Sequence, residues 1–245
     1  ANSTGAGGGI VFLPAFTVLG LSVPSALATS FAIQCFGMTS GALTWLALAR
    51  SELHSTNHSW EQLNPMLWLT VPPSLAGLLL AQQLMPQPPF DIHILFSVFS
   101  ITIGSLMLYR ILHKYRADEF YTPNLTDKNK QLIIASCFVG GIITSWLSIG
   151  VGEILAIVLL MLGYNVRFTV TIAVCVSAIS VLVALPYYVV VGDTINYSVL
   201  LFAGFGAMIG GYIARHLAMA ISPRRLKTLL SLWIIFSGFV YLGAT

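Results

Sequence analysis

The sequence predicts an all-α membrane protein, a polytopic transmembrane helical bundle built from two inverted repeats with broken or half-spanning helical hairpins. Three observations lead to this prediction. Hydrophobic residues make up 57% of the 245-residue chain and charged residues only 8%, whereas soluble domains carry about 25% charged residues. Several apolar runs reach the ~20 residues that a helix needs to cross a bilayer. Glycine-rich interruptions also recur at matching places in the two halves of the chain.

Composition limits the class of protein further. The 11 basic and 8 acidic side chains could not cover the surface of a soluble protein of this size. There is room for about seven or eight membrane segments at ~20 residues each, and for no extramembrane domain. The formal charge of +3 lies in connecting loops, so it bears on membrane topology and we predict no nucleic-acid partner. Three separated cysteines without a CxxC spacing predict buried thiols, with no metal site and no cofactor: Cys35, Cys137 and Cys175.

Hydropathy divides the first half of the chain into four apolar segments. A short run covers residues 10–19 and ends at a glycine, and longer runs cover 26–49, 66–84 and 92–112. Each long run can span a bilayer as a helix. The chain has no initiator methionine, and its glycine-rich start leads straight into the short run, so we expect a further helix before residue 1. Residues 1–112 are therefore predicted to form a first membrane repeat that lacks its N-terminal helix.

A charged stretch separates this repeat from the second one. Residues 113–130 have the highest density of charges in the chain, and their basic residues predict a cytoplasmic linker by the positive-inside rule. The second repeat, residues 131–245, ends with three clear spans at 168–191, 197–220 and 226–242. The loop before the last of these spans is also basic, which places it in the cytoplasm as well.

The segment at 131–163 is exceptional, because it is too long for one straight span and too short for two. Its centre places Gly150 and Gly152 beside Glu153. Glycines at this spacing interrupt a helix, and non-helical backbone at membrane depth is tolerated only where protein or a water-filled cavity surrounds it. We interpret the segment as a hairpin of two half-helices that meet inside the membrane. The alternative is one long tilted helix with a glycine kink.

A shared glycine pattern relates the two halves. The first half reads Gly7-Gly8-Gly9, an apolar run and Leu19-Gly20, and the second reads Gly150-Val151-Gly152, an apolar run and Leu162-Gly163. Further along, Gly77 matches Gly210 and Gly104 matches Gly238. If the hairpin returns to the side that it left, the two most basic loops both stay in the cytoplasm, and equivalent points of the halves lie on opposite membrane faces. The repeat is then inverted.

Interrupted helices in inverted repeats are typical of transporters, in which half-helix ends meet near the midplane and form the substrate site. A helix N-terminus exposes unpaired N–H groups and about half a positive charge, so it attracts anions. We therefore predict a site for a small anion, formed by the interrupting glycines and by hydroxyl and amide side chains near them: Gly7, Gly8, Gly9, Thr29, Ser30, Gln34, Ser148, Gly150 and Gly152. For each hydroxyl, the alternative is a hydrogen bond within its own helix or a packing contact.

Glu153 is the acid that hydropathy places at membrane depth. A carboxylate is expensive there and usually functional, and beside an anion it is tolerated as the neutral acid, which desolvation favours. We predict a coupling or gating role, with protons as the candidate coupling ion. The alternative is a cap on the half-helix N-terminus. An enzyme would need paired catalytic groups, and no partner stands at helical spacing to Glu153, so no catalytic residue is predicted.

The first copy of the glycine pattern resembles the opening motif of the TauE/SafE sulfite exporter family. The matching residues are Gly5-Ala6-Gly7-Gly8-Gly9, Pro14, Leu19-Gly20, Ala26 and Thr29-Ser30, with a degenerate second copy at 150–163. The resemblance covers essentially the whole chain. It implies a multi-pass permease of the bacterial inner membrane, a secondary transporter that exports sulfite or an organosulfonate, with a passive anion channel as the alternative. The implied partners are a small anionic substrate and the lipid bilayer. Whether the protein forms a homo-oligomer is left open.

The second copy departs from the first in ways that predict an asymmetric site. Glu153 stands where the first copy has Ile10, and Val151 replaces the middle glycine. An isoleucine and an alanine stand in place of Thr29-Ser30. We therefore expect the first half to supply more of the anion's hydrogen bonds.

Overall fold

The computed structural model describes residues 5, 7–52, 58–113, 125–192 and 194–243, and the regular elements in them are all helical, as predicted. The α-helices are α1 (Gly9–Val18), α2 (Val23–Glu52), α3 (Leu63–Leu84), α4 (Ile92–His113), α5 (Asp127–Leu147), α6 (Val151–Met161), α7 (Val166–Tyr187), α8 (Tyr197–Ala220) and α9 (Pro223–Leu242). A 3-10 helix (His58–Gln62) precedes α3, and a π-helical turn (Tyr188–Gly192) follows α7.

Apart from α9, which has 20 residues, the α-helices named above fall into two length classes. Among the described residues, six helices are long and apolar enough to cross a membrane, namely α2, α3, α4, α5, α7 and α8. By contrast, α1 and α6 have only 10 and 11 residues, which is about 15–17 Å of helix against a hydrocarbon core of about 30 Å. These two helices can reach only half-way across a bilayer. The prediction of half-spanning helices is therefore confirmed.

The segment at 131–163 is a hairpin, but its two arms differ in length. The backbone breaks between Leu147 and Val151, which excludes one kinked helix. The second arm, α6, is a half-helix, whereas α5 runs for 21 residues, so the expectation of two half-helices was wrong for the first arm. The helix extends back into the charged linker because Thr126 caps it by accepting a hydrogen bond from the Asn129 N–H.

The predicted linker falls partly outside the described residues. Of the linker at 113–130, residues 114–124 lie outside them, whereas residues 127–130 form the first turn of α5. The division of the chain into two repeats with a cytoplasmic linker stays a prediction.

The helices α2 and α7, which match each other in the predicted repeat, pack side by side in opposite directions. The ring of Phe31 stacks on that of Tyr188 with centroids 4.7 Å apart. Further along α2, the thiol of Cys35 donates to the carbonyl of Val181 at 3.3 Å. Rising residue numbers on α2 thus meet falling numbers on α7, which shows that the helices are antiparallel.

The helices α4 and α9, which also match each other in the predicted repeat, pack antiparallel as well. A Cβ atom on Gly104 would come 2.7 Å from Ile235, and one on Gly238 would come 3.0 Å from Ile101. Gly104 and Gly238 are equivalent in the predicted repeat, as are Ile101 and Ile235, so on that alignment the two contacts are reciprocal. Reciprocal contacts are the signature of a two-fold axis. Equivalent helices that run antiparallel about such an axis support the predicted inversion.

Helices of the bundle approach each other closely at glycines, and Gly77 of α3 is one of these contacts. A Cβ atom there would collide with the carbonyl oxygen of Phe138 on α5, whereas one on Gly206 of α8 would meet open space. We expect Gly77→Ala to destabilise the protein by about 1–3 kcal/mol, since backbone cannot move aside cheaply. Gly206→Ala should leave stability unchanged or raise it by up to about 1 kcal/mol. Thermal unfolding in detergent measures both, and equal melting temperatures would contradict the packing.

Candidate anion-binding site

Two interruptions of the helices meet inside the bundle. We call residues 5 and 7–9 elbow 1, and residues 148–152 elbow 2. A Cβ atom on Gly9 would overlap the carbonyl oxygen of Ser148, and one on Gly152 would come 2.6 Å from the carbonyl oxygen of Gly5. Gly9 and Gly152 are equivalent in the predicted repeat, and so are Gly5 and Ser148, so on that alignment these contacts are reciprocal as well. The structure therefore brings the two elbows into direct contact, as the sequence predicts.

Left-handed backbone forms both elbows. Gly5 has φ +83° and its equivalent, Ser148, has φ +59°, the one positive value among the described non-glycine residues. Ser148 ends α5, and its N–H donates to the carbonyl of Thr144 at 2.8 Å. A left-handed non-glycine residue costs about 1–2 kcal/mol. Such conformations cluster at functional sites, and here the Ser148 hydroxyl bonds to the side chains of Ser30 and Gln34 on α2.

The elbows lie at matching distances along the two helices that flank them. Gln34 stands eleven residues beyond Val23, the start of α2, and Ser177 stands eleven residues beyond Val166, the start of α7. Both positions are about 16 Å along their helix. Gln34 accepts a hydrogen bond from elbow 1, and Gly152 of elbow 2 packs on the Ser177 hydroxyl. The contact region therefore lies between two helices that are long and apolar enough to cross a membrane.

The Glu153 carboxylate joins the two elbows. Its Oε1 accepts a hydrogen bond from the Gly7 N–H at 2.6 Å, and its Oε2 accepts one from the Gly150 N–H at 2.9 Å. The side chain is 4% exposed. Glu153 is the third residue of α6, so its bond to Gly150 caps the helix, as the alternative interpretation holds. The bond to Gly7 goes further, because it crosses from the second half of the chain to the first.

Gln34 forms the second link between the elbows. Its Oε1 accepts from the Gly8 N–H at 2.9 Å. Its Nε2 lies 3.1 Å from both the Ser30 Oγ and the Ser148 carbonyl oxygen, and 2.5 Å from the Ser148 Oγ. The hydroxyls of Ser30 and Ser148 are 3.1 Å apart and also bond to each other. All three side chains are buried, so this network is shielded from solvent.

One predicted site residue has a different position. The Thr29 hydroxyl accepts a hydrogen bond from the Asn196 N–H at 2.9 Å, so it ties α2 to the start of α8 and does not join the elbow network. Its neighbour Ser30 faces the elbows because successive residues of a helix point about 100° apart. The other predicted residues all lie at the contact between the elbows: Gly7, Gly8, Gly9, Ser30, Gln34, Ser148, Gly150, Gly152 and Glu153.

Two buried polar side chains near elbow 2 escape sequence reasoning. Tyr188 donates its hydroxyl to the carbonyl of Ser145 at 2.9 Å, and Gln82 donates to the carbonyl of Ala184 at 3.3 Å. Gln82 stands near a helix end, where exposure is the ordinary expectation. The signal that could have found it is its spacing of four residues from the buried Leu78, which puts both on one face of α3.

Neutral hydrogen-bond donors line the elbow region. They are backbone N–H groups, hydroxyls and one amide side chain, and they bond to protein acceptors that include the Glu153 carboxyl group. Across the described part of the chain, no group of three His, Cys, Asp or Glu side chains could hold a metal ion. The arrangement suits an oxyanion, whose oxygens accept hydrogen bonds from such donors.

Replacing Gln34 tests the network. We expect Gln34→Leu to destabilise the folded protein by about 1–3 kcal/mol, because the Gly8 N–H loses its acceptor and stays buried. Thr171→Val is the matched control, since the buried Thr171 hydroxyl bonds only along its own helix, to the carbonyl of Arg167 at 2.9 Å. Thermal unfolding in detergent should separate the two variants. Equal melting temperatures would show that the Gln34 network contributes nothing.

Similarity to known proteins is found at the level of the family. The family model described as "Sulfite exporter TauE/SafE" matches residues 1–241 of the chain. No curated protein and no solved structure matches the chain significantly.

Proposed function

Because the chain belongs to the TauE/SafE sulfite exporter family, we propose that it is a secondary transporter that exports a small sulfur-containing anion across the bacterial inner membrane. The substrate class is sulfite or an organosulfonate. The chain is a multi-pass membrane protein of a transporter family. The substrate, the carrier mechanism and the particular membrane are the proposed parts.

The contact between the elbows is the observation that carries this proposal. The N–H groups of Gly7, Gly8 and Gly150 point at buried oxygen acceptors inside the bundle. Sulfite and sulfonate groups present three oxygens that can accept such bonds. Backbone donors at helix N-termini bind anions without a cationic side chain, which an apolar bundle could accommodate only at high cost.

We propose that the protein works by alternating access. Each elbow belongs to one half of the chain, and reciprocal contacts hold the halves together at Gly9 and Gly152. Rocking of one half on the other would open the elbow region first to one side and then to the other. Glycines suit this motion, since they let the two backbones slide without side chains in between.

Counterflow distinguishes this carrier from the alternative, a passive channel. Purified protein in liposomes is loaded with unlabelled sulfite, and uptake of radiolabelled sulfite is followed, with methanesulfonate and sulfate as further test anions. A carrier accumulates label transiently above equilibrium when substrate is present inside. Uptake that is indifferent to internal substrate would favour a channel, and absence of any flux with these anions would reject the proposed substrate class.

A further inference from the structure

The Glu153 carboxylate lies at a symmetric position between the two halves. Its oxygens accept from the N–H groups of Gly7 and Gly150, and these two glycines occupy the same place in the repeat. Equivalent amides of the two repeats thus converge on one carboxyl group, whose two oxygens are themselves equivalent. We call this pair of amides the cradle.

We infer that the cradle is the anion subsite of the protein and that Glu153 is a tethered anion that fills it whenever no substrate is bound. This inference rests on the proposed function. Each of the two carboxyl oxygens accepts one N–H, and an ionised carboxylate accepts at both oxygens in this way. The equivalent of Glu153 in the first half is Ile10. Only the second half of the chain therefore supplies an acid to the cradle.

Substrate and ionised Glu153 exclude each other. Two negative charges on one pair of amides in an apolar interior repel strongly, so the carboxylate must leave as the substrate enters. The described ionisable residues of the helices around α6 do not offset its charge. The charged ones stand near helix ends (Asp127, Lys128 and Lys130 on α5, Arg167 on α7, Arg50 on α2, Arg110 on α4), as does His93 of α4. The others are thiols and phenols: Cys35, Cys137, Cys175, Tyr109, Tyr187 and, in the π-helical turn, Tyr188.

Glu153 therefore takes up a proton when the substrate replaces its carboxylate in the cradle. A carboxylate displaced into apolar surroundings is stable only in its neutral form. Each anion that enters the cradle then brings about one proton onto Glu153, and each anion that leaves releases it. No bond other than the O–H bond of the acid forms or breaks in this step.

The cradle should accept a free carboxylate when its own is removed. In Glu153→Ala, with the full chain in detergent, saturating formate should raise the melting temperature by several degrees, because formate offers the same two oxygens. Formamide, which has no charge, should not. Ser180→Ala is the control, since Ser180 is another fully buried polar side chain of the bundle, and formate should not stabilise it. A folded Glu153→Ala that ignores formate, or an equal response to formamide, would overturn the inference.

Proton uptake provides a second measurement on the unaltered protein. Methanesulfonate stays ionised at neutral pH, so its binding in a weakly buffered solution should take up about one proton per anion, the proton that neutralises Glu153. Binding without proton uptake would overturn the inference even if Glu153→Ala failed to fold. If no sulfur anion binds while formate stabilises Glu153→Ala, the proposed substrate class fails and the cradle stands.

Discussion

Glu153→Gln is expected to remove the pH dependence of anion transport. In the unaltered protein, flux should increase as the pH falls, by up to about tenfold per pH unit, the limit for one proton per anion. Protonation withdraws the charge of Glu153 from the Gly7 and Gly150 amides and opens them to the substrate. Glutamine imitates the neutral acid at every pH, so its flux profile should be flat.

Initial rates of methanesulfonate uptake into liposomes, at a series of external pH values, check this expectation. Asp127→Asn is the matched control, because Asp127 is an exposed acid at the start of α5 that contacts Lys130 at 3.2 Å. Its profile should follow that of the unaltered protein. A Glu153→Gln protein that keeps the original slope would remove Glu153 from coupling and leave it as a helix cap.

The membrane helices could be predicted closely where polar residues mark their ends. The bounds of α8 coincide with the apolar run at 197–220. The start of α5 was placed too late because hydropathy does not register the Thr126 cap, which carries the helix into charged sequence. Similarly, the apolar run at 168–191 continues beyond the α-helix, which changes to a π-helical turn after Tyr187. Hydropathy indicates which residues can lie in lipid, and it does not distinguish an α-helix from a π-helical turn.

The candidate site could be predicted as a position but not as a set of contacts. Glycine spacing and the repeat predict that elbows 1 and 2 face each other, since only small residues allow such an approach. Sequence gives no sign that Glu153 reaches Gly7, because that bond joins residues 146 positions apart and follows no periodicity. For the same reason, the bond between Thr29 and Asn196 could not be foreseen.

Gly152→Ala should slow transport strongly. Its Cβ atom would collide with the Ser177 hydroxyl and come 2.6 Å from the Gly5 carbonyl oxygen. Overpacking of this kind costs about 1–3 kcal/mol, and relief requires the elbows to separate, which lengthens the hydrogen bond from Gly7 to Glu153. We expect transport to fall by about tenfold or more, since 1.4 kcal/mol corresponds to a factor of ten. Gly210→Ala, a helical glycine with open space around it, should transport normally.

A double variant distinguishes the two collisions of the added methyl group, one with the Ser177 side chain and one with the Gly5 backbone. Ser177→Gly added to Gly152→Ala removes the hydroxyl from the collision but leaves the Gly5 carbonyl in place. If contact between the elbows is what transport needs, the double variant should recover little of the lost rate, whereas its amount in the membrane should match that of Ser177→Gly alone. Full recovery would show that Gly152 merely makes room for a serine. Transport would then tolerate a change in how the two elbows fit together. The cradle requires Gly7 and Gly150 to face one carboxyl group, so full recovery would also contradict the cradle.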